Sequence, residues 1–83
     1  MISRVDLQLV IMEMQRAEEK HPQFPIDPVH MTSVMIEEAG EAVREANLLH
    51  EGNGDVLRLR QELYQTIGTC FRTLSKLREV YGD

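Results

Sequence analysis

The run VMIEEAGEAVREANLL places Glu37, Glu38, Glu41 and Glu45 among apolar residues, and Glu62 follows further along in RQELYQT. Carboxylates in this setting form either a solvated helix surface or a place for a cation. At about 100° per residue, Glu38, Glu41 and Glu45 fall within about 60° of one another on a helical wheel. Their stripe borders Met35, Ala42, Ala46 and Leu49, the expected core face, and Val34 and Leu48 continue it beyond each end. Glu37 points elsewhere, towards Arg44 and solvent. Like charges packed along the edge of a core repel one another unless something compensates. In the following helix, Glu62 and Gln65 point to one side of the apolar stripe, with Thr66, Thr69 and Thr73 on the same flank. Antiparallel packing sets Glu62 opposite the Glu38/Glu41 turn. Oxygen ligands from two facing helices suit a hard cation such as Mg²⁺, and inward carboxylates on adjacent bundle helices build larger dinuclear sites. Glu-x-x-Glu is also common on solvated or ion-paired surfaces, so spacing alone leaves both readings open.

Three helical segments must position these groups. The first is expected from about Asp6 to Lys20, with Ser3 as N-cap and Asp6 completing a variant of the capping box. Leu7, Val10, Ile11 and Met14 form one apolar face, and Val5, Leu9 and Met12 a second, nearly opposite one. A helix apolar on two sides sits between two layers. In so short a chain the second layer is expected to be another subunit, met by Val5, Leu9 or Met12. The segment KHPQFPIDPVH then breaks the helix with Pro22, Pro25 and Pro28. Asp27 followed by Pro28 starts the second helix, which runs to about Glu51. Gly52 suits a left-handed cap in EGNGD. Asp55 caps the third helix, which continues to about Tyr81 with Val56, Leu59, Leu63, Ile67, Cys70, Leu74, Leu77 and Tyr81 as its apolar stripe. No strand, internal repeat or low-complexity segment is apparent. The expected class is all-α: a three-helix chain with an antiparallel hairpin of helices two and three, assembling into an oligomeric helical bundle.

Composition narrows the function classes. The chain of 83 residues leaves room for one domain, residues 1–83, whose core is marginal without a metal, disulfides or oligomerisation. The single cysteine, Cys70, permits no intrachain disulfide and no Cys/His zinc spacing, as expected of a reducing, cytoplasmic compartment. The N-terminus does not read as a signal peptide, and no apolar run approaches the ~18 residues of a membrane span. A net charge of −5 argues against binding a nucleic acid polymer, which wants a basic face. It leaves room for small anionic ligands that metal ions bridge.

The stretch FPIDPVHMTSVMIEEAGEAVREANLLHEG, followed by QELYQTIGTCFRTL, resembles the MazG-like, all-α nucleoside triphosphate pyrophosphohydrolases. Members carry an EExxE element on one helix and an ExxD element on the next. Glu37-Glu38-x-x-Glu41 matches the first as it stands, and Glu62 matches the glutamate of the second. The resemblance covers roughly Phe24 to Leu74. It departs at Gln65, which stands where the second element ends in aspartate; an amide oxygen can ligate a metal or hold a water but supplies no charge. The resemblance implies cleavage of a nucleoside triphosphate to monophosphate and pyrophosphate. Glu38, Glu41 and Glu62 would bind Mg²⁺, and Glu37 or Glu45 would orient the attacking water. Arg72 and Lys76, on the Gln65 side of the third helix, are candidates for phosphate contact, although cations near a helix C-terminus are also favoured by its dipole. Phe24, between two prolines, is a candidate for stacking on a base or for anchoring its loop. His21, His30 and His50 read as turn, capping or surface residues, Cys70 as a buried small hydrophobe, and the methionines as core or subunit contacts. A rival of another class is a degenerate relative that keeps the bundle as an interaction or nucleotide-binding module without catalysis.

Overall fold

Three side chains set where the helices begin. Ser3 Oγ accepts from the Asp6 amide at 3.3 Å. Asp27 Oδ1 accepts from the Val29 and His30 amides at 2.9 and 3.0 Å, and Asp55 Oδ1 accepts from the Leu57 amide at 2.9 Å. Each thereby satisfies donors that a helix N-terminus leaves without intrahelical partners. The computed structural model describes all 83 residues as α1 (Arg4–Lys20), α2 (Pro28–His50) and α3 (Val56–Tyr81), with no strand. The expected boundaries hold to within two residues.

The α2–α3 connection is a Schellman turn. The Gly52 amide donates to the Leu49 carbonyl and the Asn53 amide to the Leu48 carbonyl, with Gly52 at φ 84°, a conformation that only glycine adopts without strain. Gly54 is fixed for a different reason. A Cβ built on it would stand 2.4 Å from the Leu49 backbone nitrogen and 2.6 Å from its Cα, so a methyl group there displaces main chain. Gly54→Ala is expected to destabilise the protein by about 3 kcal/mol, the upper end of the usual overpacking cost. Gly52→Ala should cost about 1 kcal/mol, the left-handed penalty alone. Chemical denaturation of both variants checks the order.

The helices run up, down and up. α3 packs against both α1 and α2, which do not pack on one another. Met31 and Ala42 of α2 are buried, and Glu38 approaches Glu62 and Gln65 from the antiparallel neighbour. α1 crosses α3 in roughly the same sense: Asp6 meets Tyr64, Met14 meets Gly68 and His21 meets Arg72. Gly68 permits the crossing, because a Cβ there would press on Met14 Cγ at 3.1 Å. The result is a single layer of helices with a cleft on one side, between α1 and α2 and floored by α3.

The other side of the layer differs from expectation. Cys70 is half-buried rather than enclosed, and Leu63, Ile67 and Leu74 of the same stripe are exposed. Only five of 83 residues are buried, among them Val10, Met31 and Ala42. α3 spends its two flanks on α1 and α2, and no third element returns to cover the strip between them on that side. Val5 and Met12 are exposed and Leu9 half-buried, on the flank of α1 turned away from α3.

Candidate functional site: a carboxylate cleft across three helices

The cleft has a volume of about 310 Å³ and is lined by Glu13, Arg16, Lys20 and His21 from α1 and its end, Glu38 from α2, and Gln65, Gly68 and Thr69 from α3, among others. Along its lining the Gln65 side chain lies between two carboxylates, Glu38 in the cleft and Glu62 just outside it. With its amide nitrogen facing them it donates to Glu62 Oε2 at 3.1 Å and to Glu38 Oε2 at 3.3 Å. The reverse orientation sets three oxygens against one another, and the hydrogen-bond network alone assigns which end faces which way. Antiparallel pairing of α2 and α3 thus brings Glu38, Glu62 and Gln65 to one point.

The electrostatics of this point are strained. Desolvation, followed by repulsion from Glu41, Glu37 and Glu13, raises the Glu38 pKa above the ordinary carboxylate value, with Arg16 opposing. Desolvation also raises Glu62, followed by repulsion from Glu38, Glu41, Glu45 and Glu13. Glu41 and Glu37 are themselves exposed and act on Glu38 through their charge. Glu45 lies further along the same stripe, and its Oε2 is buried without a hydrogen-bond partner. A buried acceptor in that condition costs about 1–3 kcal/mol. No three of the chain's acidic, histidine and cysteine side chains are gathered into a preformed cation cage. The donor set at the closest approach is two carboxylates and an amide.

The threonine flank does not open into the cleft as free donors. The Thr66, Thr69 and Thr73 hydroxyls donate to the carbonyls of Glu62, Gln65 and Thr69 at 2.8, 2.9 and 2.9 Å, the usual back-bonding of threonine within a helix. Arg72 is also committed. It donates to the His21 carbonyl at 2.8 Å, and its guanidinium lies 4.7 Å from the centre of the Phe24 ring. Together they strap the proline loop to α3 by a cation–π contact. Lys76 pairs with Glu79 at 3.1 Å. Phe24 and Arg72 border a second groove that shares Ala17, His21, Glu38 and Thr69 with the cleft or its rim. Lys76 lines neither of these but a further groove, with Glu18, Phe24, Arg72 and Glu79, so Phe24 and Lys76 do not line the cleft beside Glu38. His30 and His50 do not line the cleft, while His21 does so from its rim.

Sequence reasoning missed the contribution of α1. Glu13 stands beside the Val10/Met14 stripe and accepts from Arg16 at 2.9 Å and from the Gln61 amide. It adds to the repulsion felt by both Glu38 and Glu62. Tyr64 donates to Asp6 Oδ1 at 2.6 Å, pinning the start of α1 to α3. The edge-of-stripe pattern that singled out Glu38 and Glu41 applies equally to Glu13 and was the available signal.

Compared with known families, curated proteins and solved structures, the chain matches no family model, no curated protein and no solved structure.

Proposed function

We propose that the protein is a Mg²⁺-dependent nucleoside triphosphate pyrophosphohydrolase of MazG-like type, releasing a monophosphate and pyrophosphate. The observation that carries this reading is the approach of Glu38 and Glu62, from two helices, to the single side chain Gln65, beside a cleft that Glu13 and Glu38 line but Glu41, Glu45 and Glu62 do not. Glu38, Glu62 and the unpartnered Glu45 oxygen are hard donors of the kind Mg²⁺ takes, and Gln65 would add its amide oxygen on turning its nitrogen away from the two carboxylates, so the residues present fit such an ion. Glu38, Glu41 and Glu62 would hold it. When bound, it supplies charge neutralisation for the phosphates and a more acidic water.

The rest of the chemistry belongs to the chain. Glu37 or Glu45 accepts the proton of the attacking water and fixes its direction. Water adds at phosphorus, the anhydride bond breaks, and pyrophosphate leaves. Arg72 and Lys76 are the first candidates for contact with phosphate oxygens; to serve, Arg72 releases the His21 carbonyl and Lys76 releases Glu79. Arg16 and Lys20 line the same cleft and offer cations without crossing the proline loop. Phe24 offers one ring face to a base, its other face being covered by Arg72. The expected environment is the cytoplasm. What the fold itself establishes on that point is that no helix is long and apolar enough to cross a membrane.

A second reading, a bundle that binds a partner or nucleotide without catalysis, is favoured by one specific observation. In the orientation with nitrogen inward, Gln65 already donates to both carboxylates and occupies the point where the family's aspartate would add charge. A panel of nucleoside triphosphates with Mg²⁺, read for pyrophosphate release, separates the two. The first reading predicts release by the parent protein that falls at least about 100-fold in Glu62→Gln, as for loss of a transition-state charge contact. No release from any nucleotide, by the parent or by Gln65→Asp, leaves the second.

A further inference from the structure

The cleft holds cations as well as carboxylates, and they stand on the α1 wall. Arg16 and Lys20 line it together with Glu13 and Glu38. Four residues apart, Arg16 and Lys20 share one face of the helix, with their Cβ atoms about 6 Å from each other. Glu13 lies on the same face, about 10 Å along the axis from Lys20. The wall therefore changes sign along its length. It starts at a carboxylate level with Gln61 and ends at a cation beside His21, whose carbonyl meets Arg72.

Arg16 is held but not used up. Its Nε and one Nη donate to Glu13 Oε2 at 3.3 and 2.9 Å, and its remaining N–H groups meet no acceptor in the chain. Glu13 is the fixed partner. Its other oxygen accepts from the Gln61 amide, and its side chain is 14 % exposed against 55 % for Arg16. An exposed ion pair of this kind is weak, so an incoming anion takes the guanidinium from Glu13 at little cost. Lys20 enters none of the chain's ion pairs. Neither cation is spent on the crowded carboxylates either. Arg16 favours the charged form of Glu38 from a distance but does not pair with it. Two cations that line a cleft and leave its carboxylates unpaired are available to an anion from outside the chain.

The rival cations are placed differently. Arg72 donates to the His21 carbonyl and covers the Phe24 ring, so drawing it to a ligand undoes the strap on the proline loop. Lys76 pairs with Glu79 in a groove that does not include Glu38. We propose that Arg16 and Lys20 form the polyphosphate-binding wall of the cleft, with Arg72 kept as the strap of the proline loop. Arg16 grips phosphate oxygens through its planar fork, and Lys20 adds a compact second charge. A chain of phosphates meets both at once, so affinity should rise from orthophosphate to tripolyphosphate. The choice of phosphate among anions rests on the nucleotide reading of the cleft; the placing of the two cations does not.

Calorimetric titration of sodium tripolyphosphate into the full chain, with a chelator present, tests this apart from hydrolysis. The parent should bind saturably and more tightly than it binds orthophosphate. Arg16→Gln and Lys20→Gln should each weaken binding at least about tenfold, as for loss of a charge-assisted hydrogen bond. Arg44→Gln removes the same charge from an exposed position outside the cleft and should change binding less than about twofold, since distant surface charges are screened. Should Arg16→Gln lose its helical circular dichroism, Lys20→Gln decides, as that side chain is exposed and unpaired. No saturable binding by the parent overturns the proposal. So does a loss confined to Arg72→Gln or Lys76→Gln, and so does an equal loss in Arg44→Gln, the mark of net charge alone. Binding through Arg16 and Lys20 without pyrophosphate release from any nucleotide with Mg²⁺ supports the proposal and removes the hydrolase reading. Release whose KM neither variant alters does the reverse.

Discussion

Gln65→Asp is expected to destabilise the protein by about 2 kcal/mol in the presence of a chelator, through loss of hydrogen bonds to charged acceptors, and to lower the melting temperature by about 10 °C for a chain of this size. Gln65 now donates to Glu62 and Glu38 together. Aspartate removes both donors, shortens the reach, and adds a negative charge beside two carboxylates whose proton affinity is already raised, first by desolvation and then by neighbours of like sign. With saturating Mg²⁺ the sign reverses. An anionic oxygen favours a hard divalent ion, and a ligand at ~100 times its Kd contributes about 2.7 kcal/mol to the folded state. The variant should therefore gain more from Mg²⁺ than the parent does. Gln65→Met, which removes the donors without adding charge, should lose stability with chelator but show no such gain. Melting curves of the three proteins with and without Mg²⁺ read both effects. An exposed surface position shows neither, since such changes stay within about 0.5 kcal/mol.

The second large effect concerns pH. Glu38 and Glu62 both have native pKa values raised above the ordinary 4.5, chiefly by desolvation and then by neighbouring carboxylates. Between 4.5 and those raised values the native state holds more protons than the unfolded chain, so stability falls as pH rises. The contribution is complete below the unfolded value and is lost as pH rises through the native ones. With chelator the melting temperature should therefore fall as pH rises from about 4.5 through the raised native values of these two groups. Glu62→Gln carries a permanent neutral group where a proton would otherwise bind. It should raise the melting temperature at pH 8 and flatten the pH dependence. Mg²⁺ should flatten it in the parent as well, by favouring the charged forms. An unchanged slope in Glu62→Gln would mean that another group sets the pH response.

How much of this was legible in the sequence follows from how local each cause is. Ser3, Asp27 and Asp55 act on amides two or three residues away, and Pro28 and Gly52 act on their own backbone, so the helix boundaries could be read directly. The Glu38/Glu41/Glu45 stripe was legible from period alone, and antiparallel pairing placed Glu62 and Gln65 opposite it. The share of α1 was legible only in part: Glu13 borders the Val10/Met14 stripe as Glu38 borders its own, but the crossing at Gly68 that brings it to the cleft depends on a missing side chain in another helix. The commitments of Arg72 to the His21 carbonyl and the Phe24 ring were hidden for the same reason: the proline loop must fold back before either partner is near. The α3 stripe was read correctly as apolar, but Cys70 on it, expected to be buried, is only half-buried. Periodicity reveals that a face is apolar, not which molecule covers it.

Calorimetric titration of Mg²⁺ into the parent, Glu38→Gln and Glu62→Gln proteins at pH 8 tests most directly whether the cleft is a cation site. The proposed function predicts a saturable isotherm for the parent near one ion per chain, weakened at least about tenfold in each variant, since each anionic oxygen contributes to the binding of a hard ion. Equal, unsaturable heats for all three proteins would contradict it and leave the carboxylates as an acidic wall held in place by Gln65.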